Sequence, residues 1–150
     1  MTWVMTREPA IPAAVIASAL PGTAQSGLAA GRPADGRPWR VGIQHPWRAD
    51  ALACVIEPRH CVATSGVYQR GLHLVDPHTE TAACRVASAT VTGPSLIFAD
   101  ALATGLAVAG GQGLAIVADV PGYGAYVIFP DGREDATPGF QFVAEPVPTV

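Results

Sequence analysis

The sequence predicts an α+β fold, a mixed β-sheet with one principal helix. Three observations carry that class. A single segment, between Gly93 and Gly111, repeats its apolar residues at helical spacing. On either side of it lie short alternating or apolar runs, about seven in all, bounded by Gly and Pro as strands are. The order strands, helix, strands is not the regular alternation that builds a parallel sheet from βαβ units. Sixteen glycines and fourteen prolines supply the breaks.

The elements follow in chain order. Residues 1–30 read as a leader or poorly ordered N-terminal segment, and 31–150 as the domain. "LPGTAQSG" (Leu20 to Gly27) and "AGRPADGRP" (Ala30 to Pro38) are turn or loop sequences. "WRVGI" (Trp39 to Ile43) alternates as a strand does. "ALACVIE" (Ala51 to Glu57) and "HCVATS" (His60 to Ser65) flank Pro58-Arg59 and are expected to form a hairpin. "GLHLVDP" (Gly71 to Pro77) is a short strand that stops at its proline. "CRVASATVTG" (Cys84 to Gly93) is the clearest alternating strand. It has Ala87, Ala89 and Val91 on one face, and Ser88, Thr90 and Thr92 on the other. The helix is expected from about Ser95 to Ala109. Leu96, Ala99, Ala103, Leu106 and Ala107 share a face, Pro94 is near the start, and Gly110-Gly111 stops it. Two closing strands are expected, "LAIVADV" (Leu114 to Val120) and "AYVIFPDGRED" (Ala125 to Asp135), the second turning at Asp131-Gly132.

Bulk composition narrows the function. Hydrophobic residues make up 49% and charged residues 14%, enough to bury a core. A net charge of −3 and a pI near 5.7 supply neither a nucleic-acid footprint nor a polybasic membrane patch. Cys54, Cys61 and Cys84 are odd in number and form no CxxC pair, which argues against a disulfide framework or a structural zinc site. No apolar run reaches the ~18 residues that span a bilayer. "AIPAAVIASAL" (Ala10 to Leu20) lacks a net positive flank and holds Pro12, so no clear signal peptide is read. The expected location is cytoplasmic or membrane-peripheral.

The polar residues that could carry chemistry fall in two places. Asp100 and Thr104 are i, i+4 on the helix, one turn apart on one face. A carboxylate and a hydroxyl are hard oxygen ligands suited to Mg²⁺. The same pair also fits an exposed Asp near a helix N-terminus with Thr104 bonding back along the helix. The second place is "CVATSGVYQRGLHLVDPHT" (Cys61 to Thr79). Its Thr64-Ser65-Gly66 could offer backbone N–H groups and hydroxyls to a phosphate, or be an ordinary turn. His73 and Asp76 follow, on a strand edge. The motifs GxSxG, GxxxxGK and HExxH are absent, so the familiar serine-hydrolase, P-loop and zinc-protease readings lack their signature.

Read together, these segments resemble the C-terminal half of the ApbE-type flavin transferases, the FAD:protein FMN transferases. "PWRVGIQHP" (Pro38 to Pro46) is similar to the family's W-x-V-G-I-x-x-P strand. "VATSGVYQR" (Val62 to Arg70) is similar to A-T-S-G-x-Y-x-R, and "HLVDPHT" (His73 to Thr79) to H-x-I-D-P-x-T-G. "SATVTGPSLIFADALATGLAVAGGQGLAIV" (Ser88 to Val117) is similar to V-T-V followed by A-D-A-L-A-T-A-x-x-x-x-G. Each motif is weak alone; four in order are specific.

The resemblance implies Mg²⁺-dependent transfer of FMN from FAD to a Ser or Thr hydroxyl of an acceptor flavoprotein, with AMP leaving. It implies Asp100 and Thr104 as metal ligands, and His73 as the base for the acceptor hydroxyl with Asp76 supporting it. Thr64, Ser65, Gly66 and Tyr68 would lie at the FAD site. Two departures accompany it. Glu80 stands where the family has a glycine after D-P-x-T, and the glycine-rich N-terminal half has no counterpart in this sequence. The expectation is therefore a truncated member. It would be a transferase completed by a second chain that supplies the N-terminal half, a catalytically impaired flavin- or nucleotide-binding remnant, or a fragment with no ligand.

Overall fold

The computed structural model describes residues 25–28, 38–48, 51–58, 60–66 and 85–143. Its strands are β1 (Gln25–Leu28), β2 (Val41–Gln44), β3 (Leu52–Ile56), β4 (Cys61–Gly66), β5 (Ser88–Gly93), β6 (Gly124–Ile128) and β7 (Glu134–Ala136). Two helices, α1 (Leu96–Ala109) and α2 (Gln112–Ala118), lie between β5 and β6. The expected α+β class holds. Every strand pairing among the described residues is antiparallel.

Five strands form one sheet in the order β1-β4-β5-β6-β7, and β2-β3 form a second. The helices cover one face of the large sheet. There Ala63, Ala89, Val91, Ala125 and Val127 pack against Ala99, Ala103, Leu106, Ala107, Leu114 and Val117. The small sheet covers the other face, with Val41, Ile43, Cys54 and Ile56 against Val62, Tyr126, Ile128 and Phe140. The large sheet is thus buried on both sides. This is why the hydroxyl-bearing face of β5 is not a wet face: Ser88 and Thr90 are as buried as the alanines beside them.

Helix α1 forms where the period places it. Ser95 stands at its N-cap in extended conformation, so Pro94 lies just ahead of the helix rather than inside its first turn. Gly110 ends it at φ 70, a left-handed conformation that costs glycine nothing. The outer side of α1 leaves Ile97 and Phe98 exposed. No helix among the described residues is long and apolar enough to cross a membrane.

Three expectations change. The strands β3 and β4 do not form a hairpin. β3 pairs with β2, Val41 opposite Ile56, while β4 lies between β1 and β5 in the large sheet. Pro58-Arg59 lacks the Gly, Asn or Asp that a two-residue hairpin turn needs at positive φ, so the chain crosses from one sheet to the other. Residues from Leu114 onward are helical, not a strand. Leu114 and Val117 are buried at i, i+3 while Ala115 and Ile116 face out. A strand would have buried every second residue. Finally, Gln25–Leu28, whose first three residues fall in an expected turn or loop, form a strand paired with β4, Gln25 opposite Thr64. The expected turn at Asp131-Gly132 is present. Gly132 has φ 83, and the Phe129 N–H donates to the Arg133 carbonyl at 2.8 Å across it.

Candidate functional site

The site is built where α1 crosses β4. Strand β4 runs Cys61-Val62-Ala63-Thr64-Ser65-Gly66, and its side chains alternate between the two faces. Ala63 and Ser65 face the helices, and the small Ala63 lets α1 lie close. Ser65 meets Thr104 there: the two hydroxyl oxygens are 3.1 Å apart, and either can donate. Ser65 is buried, whereas Thr104 is only partly so. Asp100 stands one turn before Thr104 and is half-buried. Gly66, at the end of β4 opposite Ser88, leaves that end of the strand without a side chain.

Thr64 lies on the opposite face. Its hydroxyl is 2.9 Å from that of Thr90 on β5, and both residues are buried between the two sheets. The structure therefore brings Ser65, Thr104 and Asp100 to one place and turns Thr64 away from it. His73, Asp76 and Tyr68 lie outside the described residues.

The donor set at α1 is oxygen only. A carboxylate and hydroxyls suit a hard cation of the Mg²⁺ type rather than a thiophilic metal. No cluster of three or more His, Cys, Asp or Glu occurs among the described residues. A cation at Asp100 and Thr104 would complete its shell with water, backbone carbonyls or substrate phosphate oxygens, as Mg²⁺ usually does.

Burial perturbs ionisable groups in a different region. Burial raises the Cys54 thiol to about 12, and Glu134 adds to that, so the thiol stays protonated and inert at neutral pH. Burial, then Cys54 and Glu134, also raise the Tyr126 hydroxyl strongly. That hydroxyl approaches Cys54 and Glu134 without reaching a hydrogen-bonding geometry. Burial raises the Cys61 thiol as well. Cys54 and Tyr126 lie within β3 and β6 in the core between the two sheets, on the face of the large sheet opposite the helices.

A cleft of about 470 Å³ opens at the other end of the large sheet, beside Gly93 and Pro94. Glu57, His60, Tyr123 and Gln141 line it, and Glu57 is held by Arg40 at 3.0 Å. Sequence reasoning pointed to none of these residues as a site. Nor did it find the Ser65–Thr104 contact, which joins positions 39 apart in the chain.

A family model described as the ApbE family matches residues 14–127. The chain belongs to the ApbE family. ApbE relatives confirm it in sequence and in structure. A "FAD:protein FMN transferase" of Treponema pallidum (strain Nichols) is 37% identical over 113 residues, covering 67% of this chain and 31% of that protein. One from Klebsiella pneumoniae (strain 342) is 33% identical over 110 residues, 66% of this chain and 31% of its own length. The flavin transferase ApbE from Vibrio cholerae superposes with a TM-score of 0.60 at 36% identity, covering 73% of this chain and 39% of that one. The ApbE protein from Thermotoga maritima superposes at 0.61 with 29% identity, covering 71% and 38%. The chain thus spans about a third of the length of the curated relatives it matches.

Proposed function

We propose that this chain carries part of an FAD:protein FMN transferase active site, acting on FAD and a protein hydroxyl with Mg²⁺. The observation that carries the reading is the convergence of Ser65, Thr104 and Asp100 where α1 crosses β4, in a chain of the ApbE family. The relatives' name supplies the substrate class, FAD, and the product, FMN on a protein.

In the proposed reaction, a Ser or Thr hydroxyl of the acceptor protein attacks the FMN phosphorus of FAD. A phosphoester bond forms, the bond to the AMP oxygen breaks, and AMP leaves. His73 takes the proton of the attacking hydroxyl, and Asp76 steadies His73. Asp100 and Thr104 would hold Mg²⁺, which neutralises charge on the pyrophosphate when bound. Gly66 and Tyr68 would border the flavin nucleotide. Thr64, turned between the sheets, serves this region as a structural residue.

Phosphoryl transfer depends mostly on positioning and electrostatics, and the chain spans only about a third of its relatives. In this proposal the remaining groups come from outside the matched third, from another segment or from a second polypeptide. The test mixes the chain with FAD, MgCl₂ and an acceptor protein whose target Ser or Thr is unmodified, and reads flavin fluorescence in a denaturing gel. Weak labelling by the chain alone, raised by adding an ApbE N-terminal half, is expected. Strong labelling by the isolated chain would refute the need for a second part. Retained FAD binding with no labelling in either case would favour a binding remnant over a transferase.

A further inference from the structure

We propose that Ser65 is a positioning residue for Thr104: it accepts the Thr104 hydroxyl proton, and so aims a Thr104 lone pair beside the Asp100 carboxylate. The inference rests on the cation reading above, and gives Ser65 a role other than contact with the flavin nucleotide.

A threonine hydroxyl has one proton and two lone pairs. If it gives a lone pair to a cation, its O–H must point elsewhere and find an acceptor. Side chains that ligate metals are oriented by such outer partners, and losing the partner weakens the metal site. Three acceptors compete for the Thr104 proton. One is the helix carbonyl a turn earlier, the usual back-bond of a mid-helix threonine. Another is the Asp100 carboxylate, which would then spend a lone pair on Thr104 instead of on the cation. The third is Ser65 Oγ, whose oxygen lies 3.1 Å from that of Thr104, a contact in which either hydroxyl can donate.

The surroundings make that choice stable. Ser65 shares a face of β4 with Ala63, which packs in one core with Ala99 and Ala103 of α1, all three fully buried. Ser65 is itself only 4% exposed, so water does not readily compete for its oxygen. In the cation-free chain either hydroxyl can donate. A cation near Asp100 favours one direction, because a Thr104 that donates to Ser65 keeps both lone pairs and turns its proton away from the cation, whereas one that accepts from Ser65 must find another acceptor for its own O–H. The pair is thus a two-way hydrogen bond that cation binding sets in one direction. A serine suits the position, since a threonine would add a methyl to a close helix–strand contact and an alanine would remove the acceptor.

Calorimetric titration of Mg²⁺ into the whole chain tests this, using the parent, Ser65→Ala, Thr104→Val and the double variant. Thermal unfolding of all four is recorded without Mg²⁺. Ser65→Ala is expected to weaken Mg²⁺ binding about tenfold, the scale of a lost outer partner. In the Thr104→Val background the same change should cost nothing further, because Ser65 acts only through Thr104. If Ser65→Ala lowers the metal-free melting temperature but leaves Mg²⁺ affinity alone, or weakens it equally in both backgrounds, the positioning role is overturned. If the parent itself binds no Mg²⁺, the cation reading falls and this role with it. Ser65→Cys, close in shape but a much weaker acceptor, guards against a misfolded alanine variant and must show the same loss.

Discussion

Thr64 and Ser65 are neighbours in the chain and equally buried, yet their hydroxyls work in different parts of the molecule. Thr64 faces the small sheet and bonds Thr90 within the large one. Ser65 faces the helices and bonds Thr104. Both bonds are hydroxyl to hydroxyl and of similar length, 2.9 and 3.1 Å. The difference lies in what the far partner can reach. Thr90 is fully buried, so its bond with Thr64 can only hold strands together. Thr104 is partly exposed and stands one turn from a carboxylate, so its bond with Ser65 can orient a group that meets solvent, cation or substrate. The lesson is that a strand's alternation places one hydroxyl between the sheets and the next on the helix side, within reach of a partly exposed threonine.

The sharpest way to break the comparison is at Asp100. Asp100→Asn keeps the shape and removes the charge, and it should weaken Mg²⁺ binding roughly 100-fold, at the strong end for a lost charged partner. Because Asp100 is only half-buried, metal-free stability should hardly change. Calorimetry together with metal-free melting checks both halves. A variant that melts normally and binds Mg²⁺ as the parent does would make Asp100 a solvated helix carboxylate.

The structural side of the comparison predicts the opposite pattern at Thr90. Thr90→Val leaves the buried Thr64 hydroxyl without its partner, which should cost about 1–3 kcal/mol in chemical denaturation. Mg²⁺ binding should stay within error of the parent. Replacing Thr64 by Val as well should recover much of the loss, since an apolar pair of the same shape leaves nothing unsatisfied.

Alkaline pH should bring out the face that Thr64 shares with Cys54. The folded Cys54 thiol titrates near 12, above its ordinary value of 9.0. Between those values the unfolded chain has lost the proton and the folded chain keeps it. The stability from this group is therefore complete below about pH 9 and falls as pH rises toward 12. The fall should be about 1 kcal/mol by pH 10, and it should flatten in Cys54→Val. Denaturant melts at pH 8, 9 and 10 would show it; equal slopes in parent and variant would exclude Cys54 as the source.

The smallest effect should come from Tyr126→Phe. The Tyr126 hydroxyl is buried with no hydrogen-bond partner among the described residues. Removing it should change stability by no more than about 0.5 kcal/mol, or raise it, because no bond is broken. A large destabilisation would mean that the hydroxyl has a partner across the small sheet.

The parts legible in the sequence are those set by neighbours a few residues apart. The spacing of Ala99, Ala103, Leu106 and Ala107, closed by Gly110, located α1 almost to the residue. Asp131-Gly132 located the last hairpin, and the i, i+4 spacing put Asp100 and Thr104 on one helix face. One local reading failed because a short apolar run has no period strong enough to decide alone. "LAIVADV" became α2, since only i, i+3 spacing let Leu114 and Val117 both reach the core beside α1.

What only the tertiary structure decided is which strand lies beside which, and therefore what each face meets. β3 joined β2 and β4 joined the large sheet because backbone hydrogen bonds between distant segments, not the turn between them, satisfied their edges. The register of β4 then settled that Ser65, and not Thr64, meets the helix. Sequence by itself determined the ingredients of the candidate site, a carboxylate and a hydroxyl one helical turn apart and a second hydroxyl on a strand. Their assembly came from packing, because Ser65 and Thr104 meet only once α1 has folded back across β4.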